Sequence, residues 1–181
     1  MKTKKTSVRE MCYIGIFVAI IAVCAQVSIP MPYGVPLTLQ TLAVPLAGIV
    51  LGMKSGTLAT LIYILIGAIG VPVFTGFMGG IGIIFGRTGG FIITFPLMAL
   101  TAGIGAKHNN FWLTLCLTAG AAINFIGGML MYSIVTSNSL IVSYHFVVMP
   151  FIPTAIIKIV IAVALGRLVK QALAKNGLLL T

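Results

Sequence analysis

Lys158 is the residue best placed for chemistry, because it lies inside the apolar run of residues 151–162. It precedes Arg167 by nine residues, about 13 Å along a helix, which is too deep for a helix-end residue. A lysine at membrane depth costs about 2.5–3.5 kcal/mol and usually serves a function. Glu10 is the only acidic residue, so the compensating anion is expected from a ligand, a lipid or another chain, unless the amine is neutral. The alternative is a lysine whose ammonium reaches the membrane interface along its flexible stem.

Arg87 is the second cation inside an otherwise uncharged region, and it stands just before a predicted helix, in the stretch Gly86-Arg87-Thr88-Gly89-Gly90. A helix N-terminus offers free N–H groups and a positive dipole end, and glycines let a ligand approach the backbone. The guanidinium adds a two-pronged donor that matches a carboxylate. These features predict an anion clamp, and the alternative is an arginine that contacts lipid phosphate.

Amide side chains add polar groups inside the apolar runs: Gln26, Gln40 and Asn124. A side-chain amide both donates and accepts hydrogen bonds, so it suits a ligand with an amide or ureido edge. It can equally link two helices, a bond worth about 0.6 kcal/mol in membranes. His108 and His145 are isolated, and the three cysteines have no paired spacing. We therefore predict no catalytic residue and no metal site.

The composition sets the class of protein in which these residues act. Of 181 residues, 60% are hydrophobic and 7% are charged, whereas soluble domains carry about 25% charged residues. The absence of aspartate excludes paired-carboxylate hydrolases, two-metal phosphoryl-transfer sites and Ser-His-Asp triads. ATP-binding signatures are missing as well, since Lys54 lacks the preceding glycine and the strand context of a P-loop. The sequence indicates a membrane protein that does not use carboxylate chemistry.

Six apolar stretches approach the roughly 20 residues that a helix needs to cross a bilayer. They cover residues 11–29, 37–53, 56–73, 89–106, 111–136 and 147–168. Nine of the eleven cations lie before the first stretch, in alternate gaps, or at and beyond the end of the last stretch, as the positive-inside rule requires when both ends are cytoplasmic. This distribution explains the net charge of +10 without a nucleic-acid partner. We predict an all-α protein, a single domain over residues 1–181, with six transmembrane helices.

Two of the predicted outer connections are rich in proline or glycine. Link one, residues 29–36, contains three prolines, and link three, residues 73–90, contains seven glycines and several large apolar side chains. Prolines fix the backbone and favour a stiff extended segment. Irregular backbone near membrane depth persists only where protein or a watery cavity satisfies it. Link three is therefore expected either to fold over a pocket or to fill a gap between helices.

Several of these motifs, taken in order, resemble the BioY family of biotin transporters, the biotin-specific S components of energy-coupling factor (ECF) transporters. The motifs are Gln26-Val27-Ser28-Ile29-Pro30, Val35-Pro36-Leu37-Thr38-Leu39-Gln40-Thr41-Leu42-Ala43-Val44, Gly67-Ala68-Ile69-Gly70-Val71-Pro72-Val73-Phe74, Gly76-Phe77-Met78-Gly79-Gly80 and Gly86-Arg87-Thr88-Gly89-Gly90. The resemblance implies a six-helix S component in the bacterial cell membrane that binds biotin near its outer face. It also implies a transmembrane coupling subunit and two ABC-type ATPases as partners, which would supply ATP hydrolysis. No cofactor is expected in this chain itself.

The resemblance also assigns roles to single residues. Lys158 matches the lysine of the family motif Pro-x-Asp-x-x-Lys, which contacts the ligand, but Ala155 stands where the family has its aspartate. The ureido contact of that aspartate is therefore expected from Thr154 or Asn124, or is absent. The ligand carboxylate is expected to pair with Lys158 or with Arg87. Arg87 is a candidate from its local features alone, because the family often has Gly-Pro-Thr where this chain has Gly86-Arg87-Thr88.

The remaining ligand contacts follow from the same resemblance. The ring system of biotin is expected to pack on link-three residues such as Phe77, with hydrogen bonds from amides such as Gln40.

The first alternative function is an S component for another small anionic vitamin. A membrane enzyme would need acidic or His/Cys sets that the sequence lacks. A channel fits poorly with an apolar outer surface without rings of charge.

Overall fold

The computed structural model describes residues 7–178. Within them the chain forms seven α-helices: α1 Val8–Gln26, α2 Gln40–Ala68, α3 Ile81–Ile84, α4 Gly89–Gly105, α5 Asn110–Thr136, α6 Leu140–Val147 and α7 Ile152–Lys175. Two strands, β1 Ser28–Ile29 and β2 Leu37–Thr38, pair antiparallel. By length and apolar composition, four segments of this part can cross a membrane: Val8–Gln26, Gln40–Ala68, Asn110–Thr136 and Leu140–Lys175. The shorter Gly89–Gly105 is also apolar, so the predicted helical membrane architecture is confirmed.

Helix α2 is a hairpin rather than one long rod. Gly52 has φ +83° and interrupts the helical backbone, a conformation that glycine adopts without steric cost. The Gln40 Nε2 group donates to the Tyr63 hydroxyl at 2.6 Å, although 23 residues of straight helix would separate them by about 34 Å. Gly48 and Gly56 also pack against each other, with no room for a Cβ between them. The two halves of α2, residues 40–51 and 53–68, thus correspond to the second and third predicted spans.

Glycines allow the central helices to approach closely. A Cβ at Gly48 would collide with the Ala99 carbonyl of α4, and a Cβ at Gly90 would collide with the Gly127 carbonyl of α5. Small residues serve this purpose in membranes, where dispersion contacts and hydrogen bonds hold helices together. The buried core around these contacts includes Ile21, Val44, Tyr63, Phe74, Phe95 and Ala99. Helix α4 therefore lies at the centre, between α2 and α5.

Contacts between helix ends bring most cations to one end of the molecule. Arg9 Nη2 donates to the Gly177 carbonyl at 3.0 Å, which joins the start of α1 to the residues after α7. The Ser55 hydroxyl donates to Glu10 Oε1 at 2.5 Å, which brings the α2 bend to the same end. At the end of α4, the Ala106 carbonyl accepts from two side chains of α7. We call this region the basic end.

The basic end contains all the cations of the described residues except Arg87 and Lys158: Arg9, Lys54, Lys107, Arg167, Lys170 and Lys175. This segregation agrees with the alternation of charged gaps that the sequence indicates. Lys2, Lys4 and Lys5, which belong to the same predicted group, lie outside the described residues.

The connections at the opposite end are more structured than the sequence indicates. Link one doubles back as a ribbon, because Ser28 pairs with Thr38 and Ile29 pairs with Leu37. Link three contains the short helix α3, and an eight-residue helix, α6, precedes the last span. The predicted spans at 11–29 and 56–73 extend too far, since α1 ends at Gln26 and α2 at Ala68. Apolar loop residues cause this error, because hydropathy does not distinguish a helix from an apolar loop.

Candidate functional site

A cavity of about 280 Å³ lies between the first half of α2 and helices α4, α5 and α7, and links one and three complete its wall. Its volume is close to the lower limit of the about 300–1,000 Å³ typical of small-molecule sites. Most of the lining is apolar, with a few polar side chains among it. The polar and charged lining residues are Thr38, Gln40, Thr41, Thr75, Arg87, Thr88, Asn124, Thr154 and Lys158. The cavity thus has the size and the mixed lining of a site for one small ligand.

Lys158 lines this cavity from α7 and is half-buried. Its ammonium donates to the Thr38 carbonyl at 2.7 Å and to the Thr41 hydroxyl at 2.8 Å. Both partners are neutral, so they fix the position of the ammonium without cancelling its charge. An ammonium has three donors, which leaves one N–H for a ligand. These partners lie in β2 and in the first turn of α2, so the ammonium is held against the protein rather than extended away from it.

Arg87 lies at the cavity wall next to link one. A Cβ at Gly34 would be 3.2 Å from Arg87 Nη1, so the guanidinium packs against a glycine that leaves room for it. The side chain is exposed, and helix α4 begins two residues later. Arg87 thus combines solvent access with a nearby helix N-terminus, and both favour binding of an anion.

Asn124, in the middle of α5, is only 2% exposed. Its Nδ2 group donates to the Phe91 carbonyl and to the Thr94 hydroxyl, both at 2.8 Å. These two bonds use both donors and fix which way the amide points. Among the described residues no donor reaches Oδ1, so this oxygen is left as an acceptor at the cavity wall. The residue is therefore both a helix link and a candidate ligand contact, the two roles that the sequence left open.

Gln40 and Thr154 also line the cavity, but their polar groups are mainly engaged within the protein. Gln40 Nε2 donates to the Tyr63 hydroxyl, and its Oε1 accepts from Thr38 and Thr75 at 3.3 Å each. The Thr154 hydroxyl donates to the Phe151 carbonyl at 2.8 Å. Gln40 chiefly joins the halves of α2 to link three, and Thr154 keeps an oxygen that can accept from a ligand.

Phe77 is the one predicted site residue that the structure does not bring to the cavity. Its side chain is 72% exposed and is not part of the lining. Its backbone has φ +55°, a turn conformation that directs this part of link three outward. Phe74 and Met78, on either side of it in the sequence, line the cavity instead. The choice among these neighbours depends on a turn that the apolar pattern did not reveal.

Gln26 fastens link three to the end of α1. Its Nε2 group donates to the Phe74 carbonyl at 3.1 Å, and its Oε1 accepts from the Phe77 N–H at 2.9 Å. A longer contact joins Nε2 to the Val73 carbonyl at 3.4 Å. Irregular backbone at this depth needs such partners. Gln26 is therefore a support of the loop, outside the cavity lining.

Sequence reasoning missed the residues that hold the predicted ones in place. Thr38 and Thr41 accept from Lys158, and Thr94 accepts from Asn124. Threonines in apolar helices commonly bond to their own helix backbone, so their identity alone gave no signal. Thr38 lies in β2, before α2 begins, and accepts through its backbone carbonyl, so neither its side chain nor a helical spacing gave a signal.

The site as a whole suits a small anion with polar edges. Its lining has two cations, Arg87 and Lys158, and no acidic residue, since Glu10 bonds to Ser55 at the basic end. A buried charge is costly unless it is paired. Ala155 lies one turn before Lys158 and also lines the cavity, so no carboxylate of the lining offsets the two positive charges. A bound anion would offset one of them.

Comparisons with known proteins agree on one family. The model of the BioY family matches residues 1–175. A relative from Pyrococcus horikoshii, named "Probable biotin transporter BioY", is 41% identical over 159 residues, which are 88% of this chain and 94% of the relative. The "Biotin transporter BioY" of Thermotoga maritima is 37% identical over 166 residues, 90% of this chain and 96% of the relative.

A solved structure agrees with the sequence relatives. The crystal structure of the S-component for biotin from an ECF-type ABC transporter matches with a TM-score of 0.83 and 26% identity, over 94% of this chain and 95% of that chain. The relatives are named as transporters, which is a non-enzymatic role. The resemblance found in the sequence motifs is confirmed: this chain belongs to the BioY family.

Proposed function

We propose that this protein is the substrate-binding S component of an ECF transporter and that its substrate is biotin. The observation that carries the proposal is the cavity of about 280 Å³ lined by Arg87, Lys158 and Asn124 within an apolar wall. Biotin combines an ionised carboxylate, an apolar ring system and a ureido group. The cavity offers a partner of matching chemistry for each of the three. The names of the relatives point to the same ligand.

The geometry favours one orientation of the ligand. A carboxylate loses more hydration energy on burial than a neutral ureido group does, so the exposed guanidinium of Arg87 is its better partner. The ureido carbonyl then accepts from the remaining N–H of Lys158. A ureido N–H donates to Asn124 Oδ1. This bond replaces the contact that, in the family, is expected from an aspartate at the position of Ala155. The ring system packs against Phe74 and Met78.

Uptake requires partners and a direction. We propose that the basic end faces the cytoplasm, because cations concentrate on that side of membrane proteins. The opposite end, with links one and three, then faces outward and captures biotin at the outer face of the cell membrane. A transmembrane coupling subunit and two ABC-type ATPases would supply the energy, since ATP-binding motifs are missing from this sequence.

Retention of labelled biotin by the purified chain in detergent tests the proposal. We expect one biotin per chain with a dissociation constant below about 1 µM, equivalent to a binding free energy of about −8 kcal/mol. Lys175→Gln is a suitable control, because Lys175 lies at the basic end, away from the cavity. Absence of saturable biotin binding by a folded preparation would refute the assignment.

A second candidate function follows from Ala155. Without the carboxylate expected from the family at this position, the site could select another small anionic vitamin. Calorimetry with a panel of vitamins separates the two candidates. If another vitamin binds at least tenfold tighter than biotin, the transporter class remains and the substrate assignment changes.

A further inference from the structure

A second cavity, of about 160 Å³, lies at the basic end and shares no lining residue with the ligand cavity. Its wall consists of residues 49–51 at the end of the first half of α2, Gly52 and Gly103, and the side chains of Lys107 and Lys170. Gly52 has open space where a Cβ would stand, so no side chain narrows the cavity there. The proposed transport function leaves this cavity without a role.

Positive charge at this cavity exceeds what the protein itself compensates. Lys170 Nζ and Arg167 Nη1 both donate to the Ala106 carbonyl, at 3.0 and 3.2 Å. The C-terminus of a helix such as α4 contributes only about half of a negative charge. Lys107 adds a third cation beside it. The only acidic side chain of the sequence, Glu10, bonds to Ser55 and does not line this cavity.

The surroundings of the cavity have the composition typical of a membrane–water interface. Arg167 also donates to Asn110 Oδ1 at 3.1 Å, at the start of α5. The next two residues, Phe111 and Trp112, are 72% and 51% exposed. Exposed aromatic residues of this kind, next to cations, are typical of membrane–water interfaces. Residues 49–51, whose side chains are almost fully buried, close the cavity beside the two lysines, so the cavity itself suits a small anionic headgroup.

We propose that this basic-end cavity binds the phosphate headgroup of an anionic phospholipid. Lys107 and Lys170 pair with the phosphate inside the cavity, and the acyl chains lie outside it, along the apolar surface that includes the exposed Phe111 and Trp112. Basic cavities between transmembrane helices are known to select such headgroups. The lipid bridges the α2 bend, the end of α4 and α7, so its binding stabilises the packing of these three elements.

Native mass spectrometry of the delipidated full chain, titrated with phosphatidylglycerol or phosphatidylcholine, tests this proposal. We expect one phosphatidylglycerol to bind at least tenfold tighter than phosphatidylcholine. The paired variant Lys107→Gln/Lys170→Gln should lose about 30-fold in affinity, equivalent to about 2 kcal/mol at 1.4 kcal/mol per tenfold change. The variant Lys107→Arg/Lys170→Arg, which retains both charges, should retain most of the binding and shows whether the site itself still folds.

The matched control is Lys54→Gln/Lys175→Gln, which removes two exposed charges from the same end without touching either cavity. Its affinity for phosphatidylglycerol should stay close to that of the unchanged protein. An equal loss in this control would mean general surface attraction and would overturn the site. Equal binding of the two lipids would do the same. Binding of inorganic phosphate without binding of phosphatidylglycerol would overturn the assignment to a lipid.

Discussion

Replacing Lys158 by methionine tests the proposed site most directly. Methionine keeps the apolar stem but removes the ammonium and its bonds to Thr38 and Thr41. Loss of the two bonds destabilises the ligand-free protein, whereas removal of an intramembrane charge stabilises it by up to about 2.5–3.5 kcal/mol. These two effects nearly cancel. We therefore expect little change in the melting temperature without ligand.

Binding of biotin should respond much more strongly than stability. A hydrogen bond to a charged group contributes about 1.5–3 kcal/mol, so the loss of the Lys158–ureido contact should weaken binding about 10- to 150-fold. Thr41→Val removes one of the two acceptors that hold the ammonium but keeps the charge. It should weaken binding by less than about fivefold, equivalent to about 1 kcal/mol, because the ammonium keeps its charge and its bond to the Thr38 carbonyl, and only its positioning is loosened.

Calorimetry with biotin and with its neutral carboxamide shows which end of the ligand Lys158 contacts. If Lys158 binds the ureido carbonyl, Lys158→Met weakens the binding of both ligands by the same factor. If it pairs with the carboxylate, only biotin is affected and the proposed orientation is reversed. Unchanged affinity for both ligands in a folded Lys158→Met protein would refute the role of this residue altogether.

Three further predictions concern the surroundings of Lys158. Arg87→Gln should weaken biotin binding up to about fivefold in calorimetry and leave binding of the carboxamide unaffected, because an exposed charge pair contributes about 0.2–1 kcal/mol. Equal losses for both ligands would contradict the carboxylate contact. Asn124→Leu should weaken binding of both ligands about tenfold. It should also lower the melting temperature, because the bonds to Phe91 and Thr94 are lost. A lower melting temperature with unchanged affinity would show that Asn124 only links the helices. Gln26→Leu should accelerate hydrogen exchange in link three at least tenfold, as expected from the loss of its hydrogen bonds; exchange at the original rate would show that Gln26 does not hold the loop.

Much of the fold could be predicted because membrane helices follow simple rules. The positions of apolar runs and cations predicted the helices and the single basic end, since both depend on transfer energies that are local to each residue. The hairpin at Gly52 could be predicted only as two spans with a gap, and the basic residue Lys54 marked that gap. The ribbon in link one and helix α6 could not be predicted, because proline and apolar content fit several loop conformations.

The candidate site was predictable in its ionic members and less so in its apolar ones. Lys158 and Arg87 could be identified as candidate site residues because a charged side chain among apolar residues is costly and usually serves a function. The ligand contact of Phe77 stays a prediction: this residue is exposed and lies outside the cavity lining, whereas its neighbours Phe74 and Met78 belong to the lining. Side-chain direction in an irregular loop depends on backbone turns that composition does not encode.

Composition and linked motifs are sufficient to identify a helical membrane protein of the BioY family in which two cations, Lys158 and Arg87, are not explained by membrane topology. The composition requires a lipid environment, and the motifs identify the family. The tertiary structure was needed to show that these two cations share one cavity and that neutral oxygens of Thr38 and Thr41 hold Lys158. It also revealed the excess of charge beside Ala106. The reason is physical: burial cost is a property of each residue, whereas compensation of charge depends on which distant residues the fold brings together.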